Sequence, residues 1–506
     1  MSDLKNAEYR MDAATTFEEW KAAAIDHDAL SGADEWKRRE HSDRYDYATI
    51  RERLREIRKA RNAGDDRALL FALNEGLHGN LGGMGKGSLY TYTKFGTKRL
   101  ITDYVEEVTS ALAHIATVRS TVISKAEKKD FFHRASHCFG RSALMLSGAG
   151  ALGPFHVGVI KALLEEGLLP RVISGSSAGA LIAAVVGTHS DEELKPFFEA
   201  EMGVEAPIEQ MHLTSVLGWR DRIQTEDLRE MVDTWIPDVT FAEAFQMTGR
   251  HINVSVAPFR KMQASRLLNA ITSPNVLLRD AVMASCAVPG VFPPVMLMAR
   301  DADGDKQPYL SDMRWIDGSV TDDLPAKRLG RLYGVNHFIA SQTNPIVLWT
   351  IRNPNGETGA LSNLWDIGGR VSKEWFRTTR DLADKLTRRF PNANSAVNMF
   401  HSVALQEYTA DINIIPRYRF WDPRKLLAPL DQEEMLYLIN EGEIATWPLV
   451  EMIRNCSIIS HTLDGILEDI EGDVVGLYRP HSKSASVKSE ATDGKARKNP
   501  PPKAVA

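Results

Sequence analysis

The sequence predicts an α/β catalytic region built on a mostly parallel sheet and flanked by helical N- and C-terminal regions. Three observations predict it. From about residue 141 to residue 335, short apolar runs punctuated by glycine alternate with helical patterns, as a sheet with crossover helices requires. Before that stretch the text is charged and helical, and after Thr343 it becomes helical again. Expected boundaries are therefore 1–140 for a helical N-terminal domain, 141–335 for the catalytic domain and 336–475 for a mostly helical extension. The end, 476–506, is polar and rich in Pro and Lys, and is expected to be disordered.

The 506 residues call for several structural units, and 43% hydrophobic content suffices for a sizeable core. A net charge of -6 gives no general attraction to nucleic acid. Cys138, Cys286 and Cys456 are far apart and form no CxxC pair, which fits a reduced, cytoplasmic setting. The N-terminus lacks the apolar stretch of a secretory signal, and no run reaches the roughly 18 apolar residues of a bilayer span. Contact with lipid is expected from the water side, peripherally, at a membrane or droplet surface.

In the N-terminal region, Tyr47, Ile50, Leu54 and Ile57 recur at helical spacing, a glycine turn follows at 80–85, and 89–123 resumes the helical pattern. In the catalytic region the strands are expected at 143–146, 171–174, 251–256 and 337–341.

The strongest local signal is Gly175-Ser176-Ser177-Ala178-Gly179, between the strand RVIS and the helix AGALIAAVVG. A nucleophile elbow has this form, because a sharp strand-to-helix turn lifts one serine out of the sheet while flanking glycines avoid a clash. Only Ser177 has glycine two residues away on both sides. The helix that follows points its free N–H groups at developing negative charge.

A second glycine loop, Ser147 to Gly153, precedes the helix that starts at Pro154. Gly148-x-Gly150-x-x-Gly153 has dinucleotide-binding spacing, but that reading wants an acidic residue at the end of the next strand, where Ser174 to Ser177 stand. The better reading is an oxyanion hole made by the N–H groups of Gly148, Ala149 and Gly150.

A serine needs a base. His189, His212, His251, His337 and His401 stand in no loop signature, whereas Asp317-Gly318-Ser319 follows the apolar stub Trp315-Ile316. An Asp-Gly turn at a strand end can present its carboxylate to a neighbouring elbow, which makes Asp317 the better base. The spacing of the remaining residues suits no metal, and no cofactor is expected.

GAGALG, GSSAG and DGS with DDLP behind it, together with 284–294 (ASCAVPGVFPP), closely resemble the patatin-like phospholipase family over roughly 142–335. The resemblance implies a three-layer sandwich and a Ser177-Asp317 dyad without histidine. Phe17-Glu18-Glu19-Trp20, Tyr45-Asp46-Tyr47, 80–83 and Leu89-Tyr90, with 441–448 near the C-terminus, also resemble the intracellular triacylglycerol lipases of that family. Two departures stand out: Ala149 replaces a common glycine with no arginine or lysine after it, and His78 replaces an arginine.

The implied activity is a serine lipid acyl hydrolase, a triacylglycerol lipase, working through an acyl-enzyme. Within the class the alternatives are a phospholipase A or a lysophospholipase/acyltransferase; outside it, a non-catalytic lipid-binding protein or, more remotely, a nucleotide-binding enzyme. Asp323 reads as structural, His156 as a packed side chain and Cys286 as a buried thiol. Between 361 and 390 an apolar stripe that includes Trp375 runs among seven Lys and Arg residues; core packing is the expectation there, and lipid contact the alternative.

Overall fold

The computed structural model describes residues 3–119, 122–199, 224–260, 264–289, 291–320, 323–343, 410–417 and 430–475. The apolar stripe at 361–390 and the tail at 476–506 lie outside the described residues, as do Gly290 and Asp322.

The N-terminal region is helical: Asp3–Ala13, Phe17–Ser31, Ala33–Arg38, Tyr47–Asn62, Asp66–Gly76, Arg99–Thr117 and Lys125–Phe139. Short polar side chains set several starts, with Thr16, Asp46, Asp65 and Ser124 each accepting a backbone N–H of the first turn. Ile50, Leu54 and Ile57 are buried as their spacing predicts, packed with Tyr104, Val108 and Leu112. The helix expected from Leu89 begins instead at Arg99. The buried Asp28 carboxylate explains the delay, because it accepts the N–H groups of Lys94 (2.8 Å) and Phe95 (3.0 Å) and holds that stretch in turns.

The sheet starts with β1 (Arg141–Leu146) and β2 (Val172–Gly175), followed by β3 (His251–Pro258) and β4 (Arg266–Asn269). A separate hairpin, β5 (Met298–Arg300) and β6 (Lys306–Pro308), precedes β7 (Trp315–Asp317). The last strands are β8 (Val335–Ser341) and β9 (Ile412–Ile414). Strand order is β4-β3-β2-β1-β8-β9, with β7 paired to β3 off that path. The pairs β1–β2, β1–β8, β2–β3 and β8–β9 are parallel, while β4 and β7 both run antiparallel to β3. The sheet thus continues past residue 335 into the expected extension, which supplies β9 and most of β8.

Side chains alternate between two cores. Leu144, Leu146, Ile173, Val254 and Ile339 face one side, against the helices Pro154–Glu165 and Ala178–Thr188. Ala143, Met145, Val172 and Ala340 face the other, against Leu329 and Tyr333 of the helix Ala326–Tyr333. Burial on both faces is why the strands are short and apolar throughout.

Two C-terminal helices bind the regions together. Gln432–Thr446 crosses Pro154–Glu165 so closely that a Cβ at Gly158 would stand 1.8 Å from the Ile439 carbonyl oxygen, and one at Gly442 would stand 2.1 Å from that of Phe155. Lys161 and Glu443 pair beside this crossing at 2.9 Å. Val450–Val475 packs on β1 and also on Arg99–Thr117 and Lys125–Phe139, with Asp464 holding Arg141 at 2.9 Å.

Candidate active site

β2 runs into the helix Ala178–Thr188 through a turn whose apex is Ser177, at φ 53° and ψ -124°. A non-glycine residue there stores strain of about 1–3 kcal/mol, so the surroundings must hold it. Part of the hold is steric. A Cβ at Gly175 would lie 2.2 Å from the Gly179 carbonyl oxygen, and one at Gly179 would lie 2.5 Å from that of Leu146. Glycine at both positions lets the turn close. The rest is polar: Ser177 N–H donates to Ser285 Oγ (3.0 Å), which donates to the Ser255 carbonyl of β3 (2.8 Å).

The two serines of the turn differ as expected. Ser177 keeps 9% of its surface, whereas Ser176 is fully buried and donates to the Asp323 carbonyl oxygen at 3.3 Å.

Asp317 ends β7, opposite Val256 of β3, and its N–H donates to the Ala287 carbonyl oxygen at 3.0 Å. The turn after it is tight, since a Cβ at Gly318 would meet the Ser255 carbonyl oxygen at 2.2 Å. The Asp317 side chain is 1% exposed and accepts the Ser319 N–H at 2.8 Å. Burial raises its pKa from 3.8 to about 6, against the hydrogen bonds from Ser319 and from the Ser177 hydroxyl that favour the anion. The elbow serine and the Asp-Gly carboxylate are thus brought within each other's influence. Cys286 lies beside both; burial and then the nearby Asp317 push its thiol pKa far up, so it stays a neutral thiol.

The glycine loop after β1 sits against the same turn. Gly150–Leu152 forms one 3-10 turn before the helix at Pro154, Gly150 has φ 53°, and Gly153 faces the Ala178 methyl. Gly148 departs from the expectation that its N–H faces the reaction, because that group already donates to Asp323 Oδ1 at 2.8 Å. The N–H groups of Ala149 and Gly150 make no hydrogen bond among the described residues. The Ala149 methyl packs with Met435 and Leu438 of the C-terminal helix Gln432–Thr446, which gives the replacement of glycine a structural reason. Among the described residues no group of three or more His, Cys, Asp or Glu side chains is placed to hold a metal ion.

Three residues here escaped the sequence reading as contributors to the site. Ser285 tethers the elbow, yet only its place in the run 284–294 marked it. Asp323 and His156 both touch the peptide before the glycine loop, His156 through Nε2 and the Ser147 carbonyl at 3.0 Å.

Residues 144–329, which hold both the elbow and Asp317, match the model of the patatin-like phospholipase family. Triacylglycerol lipase ptl3 of Schizosaccharomyces pombe is 31% identical over 89% of this chain and 94% of its own length. The chain belongs to the patatin-like phospholipase family. A domain of unknown function, DUF3336, accounts for residues 2–137. Other members include triacylglycerol lipase ptl2 of the same yeast, 33% identical over 87% of this chain and 72% of its own. Triacylglycerol lipase 4 of Saccharomyces cerevisiae is 33% identical over 91% of this chain. The chain spans about half the length of several curated relatives it matches, 49–53% of them.

Proposed function

We propose that this chain is a lipid acyl hydrolase, specifically a triacylglycerol lipase, with Ser177 as nucleophile and Asp317 as general base. The observation that carries the reading is a strained serine beside a buried carboxylate whose pKa stands at about 6. A solvated aspartate, at about 3.9, is too weak a base for a hydroxyl, whereas one titrating near 6 is a better acceptor and still ionised at pH 7.

In this reading Asp317 takes the Ser177 proton as Oγ attacks the ester carbonyl. The Ala149 and Gly150 amides, with the N-terminus of the helix Ala178–Thr188, hold the oxyanion. Collapse expels the glycerol alcohol with the proton from Asp317 and leaves an acyl-enzyme on Ser177. Water then attacks the acyl carbon and gives its proton to Asp317; collapse breaks the bond to Ser177 Oγ, which takes that proton back, and the fatty acid departs with both residues restored. Asp323 also bears on the nucleotide alternative, since its carboxylate occupies the loop N–H that a pyrophosphate would need.

The choice of triacylglycerol follows the names of the family members above. Such a substrate is insoluble in water, so we place the enzyme at a lipid surface, reached from the water side. Among the described residues no helix is long and apolar enough to cross a membrane. The three cysteines are unpaired, which suits a reducing, cytoplasmic setting. The catalytic unit in this reading runs from β1 through β9.

Fatty acid release from triolein emulsion and from phosphatidylcholine vesicles tests this directly. Release from triolein at several times the phospholipid rate, lost in Ser177→Ala, is expected. Preferential release from phosphatidylcholine would replace triacylglycerol with phospholipid, and equal release by Ser177→Ala would remove the hydrolase reading.

A further inference from the structure

The proposed reaction needs the Ala149 and Gly150 amides aimed at one point, yet neither is held by a hydrogen bond of its own among the described residues. What is held is the peptide just before them. Its oxygen, the Ser147 carbonyl, lies 3.0 Å from His156 Nε2. Its N–H, on Gly148, donates to Asp323 Oδ1 at 2.8 Å. A peptide is a rigid plane, so fixing both ends fixes its rotation and the position of the Gly148 Cα from which the next amide departs.

Each side of this grip is itself anchored. A carbonyl oxygen only accepts, so His156 must carry its proton on Nε2, and its Nδ1 accepts from the Ser341 hydroxyl at 2.7 Å. Burial lowers the pKa of His156 to about 4, which keeps the ring neutral and that tautomer in place at working pH. Asp323 is fully buried, and its own carbonyl oxygen accepts the Ser176 hydroxyl at 3.3 Å. Asp323, six positions after Asp317 in the sequence, therefore ties the glycine loop to the elbow.

We propose that Asp323 and His156 are positioning residues that grip the Ser147–Gly148 peptide from opposite ends and so aim the oxyanion amides at the carbonyl attacked by Ser177. This rests on the hydrolase reading above. Neither side chain touches substrate; both act through the loop. Their effect falls on kcat, because the oxyanion exists in the transition state and not in the bound ester.

The test uses the full chain, p-nitrophenyl butyrate, and the inactivation rate with a fluorophosphonate, whose attacked centre also develops oxyanion charge. Asp323→Leu and His156→Leu remove the two holds; Asp323→Asn keeps an acceptor and His156→Gln keeps a donor. For each Leu variant we expect kcat and the inactivation rate to fall about 30-fold or more, with KM within about threefold. Asp323→Asn and His156→Gln should stay within about threefold of wild type in kcat, a contrast with the Leu variants that a merely space-filling role would not predict. Leu variants as active as wild type would overturn the proposal. So would a folded Asp323→Asn, checked by thermal melting, whose kcat falls about 30-fold or more; this outcome can be read even if the Leu variants do not fold. Loss in KM alone would also overturn it. Failure of the underlying reading is distinct, because wild type itself would then show no hydrolysis that Ser177→Ala abolishes.

Discussion

Asp317→Asn is expected to lose about 10³-fold or more in ester hydrolysis and, at pH 8, to melt several degrees higher than wild type. Both effects come from one carboxylate. As a base it contributes on the order of 10²–10⁴ to the rate, and an amide cannot take the proton. As a buried group it is 1% exposed, and burial raises its pKa from 3.8 to about 6. A raised carboxylate pKa favours the fold fully below pH 3.8, where both states are protonated. That contribution disappears as pH rises through about 6, because the unfolded chain ionises first. At about 1.4 kcal/mol per pKa unit the change is roughly 3 kcal/mol. Asn carries no such dependence. The stability advantage of Asp317→Asn should therefore be absent near pH 3.5, grow between pH 4 and 6, and be complete by pH 7. The kcat/KM of wild type should rise with pH along a limb centred near 6 and level off above 7. Melting curves and pH–rate profiles check both. A destabilised variant at pH 8, or one that keeps its activity, would contradict the assignment of Asp317.

Gly158→Ala is expected to cost about 3 kcal/mol or more, a large share of the margin of an ordinary domain. The added Cβ would stand 1.8 Å from the Ile439 carbonyl oxygen and 2.9 Å from the Glu443 nitrogen. Both are backbone atoms of Gln432–Thr446, so no side chain can turn aside and the two helices must separate. Separation would also uncover Leu152 and Ala149, which pack under Met435 and Leu438, and would loosen the Lys161–Glu443 pair. Gly167→Ala is the comparison, since open space surrounds that position. Its φ of +64° should make it cost only about 1 kcal/mol. Urea denaturation separates the two. A Gly158→Ala protein as stable as Gly167→Ala would mean that the helices do not meet this closely.

The two variants differ in how far the sequence announces them. The elbow and the Asp-Gly turn are legible because local sterics dictate them: glycine on both sides of a serine, and an aspartate before a glycine at a strand end. The strands at 143–146, 171–174 and 251–256 are equally legible, since burial on both faces leaves continuous apolar runs. β7 and β9 have three residues each, too few for any period to emerge, and only pairing with β3 and β8 makes them strands. The run at 337–341 is legible as β8, although it lies beyond the expected boundary at 335, and β9 extends the sheet further past it. Gly158 reads as one small residue in a helix until its partner Gly442, 284 positions away, is set against it. The commitment of the Gly148 N–H to Asp323 is also long-range. A glycine loop advertises free amides, and nothing local says that an acid 175 positions later takes one of them.

The central claim is that one hydroxyl, at Ser177, attacks an ester carbonyl. Mass spectrometry of the protein after reaction with a fluorophosphonate tests it most directly. The phosphorus–oxygen bond forms as fluoride leaves, and the account predicts one adduct, on Ser177, with hydrolysis lost in step with labelling. An adduct on another serine that tracks the loss of activity, or full hydrolysis by a protein already labelled at Ser177, would contradict it.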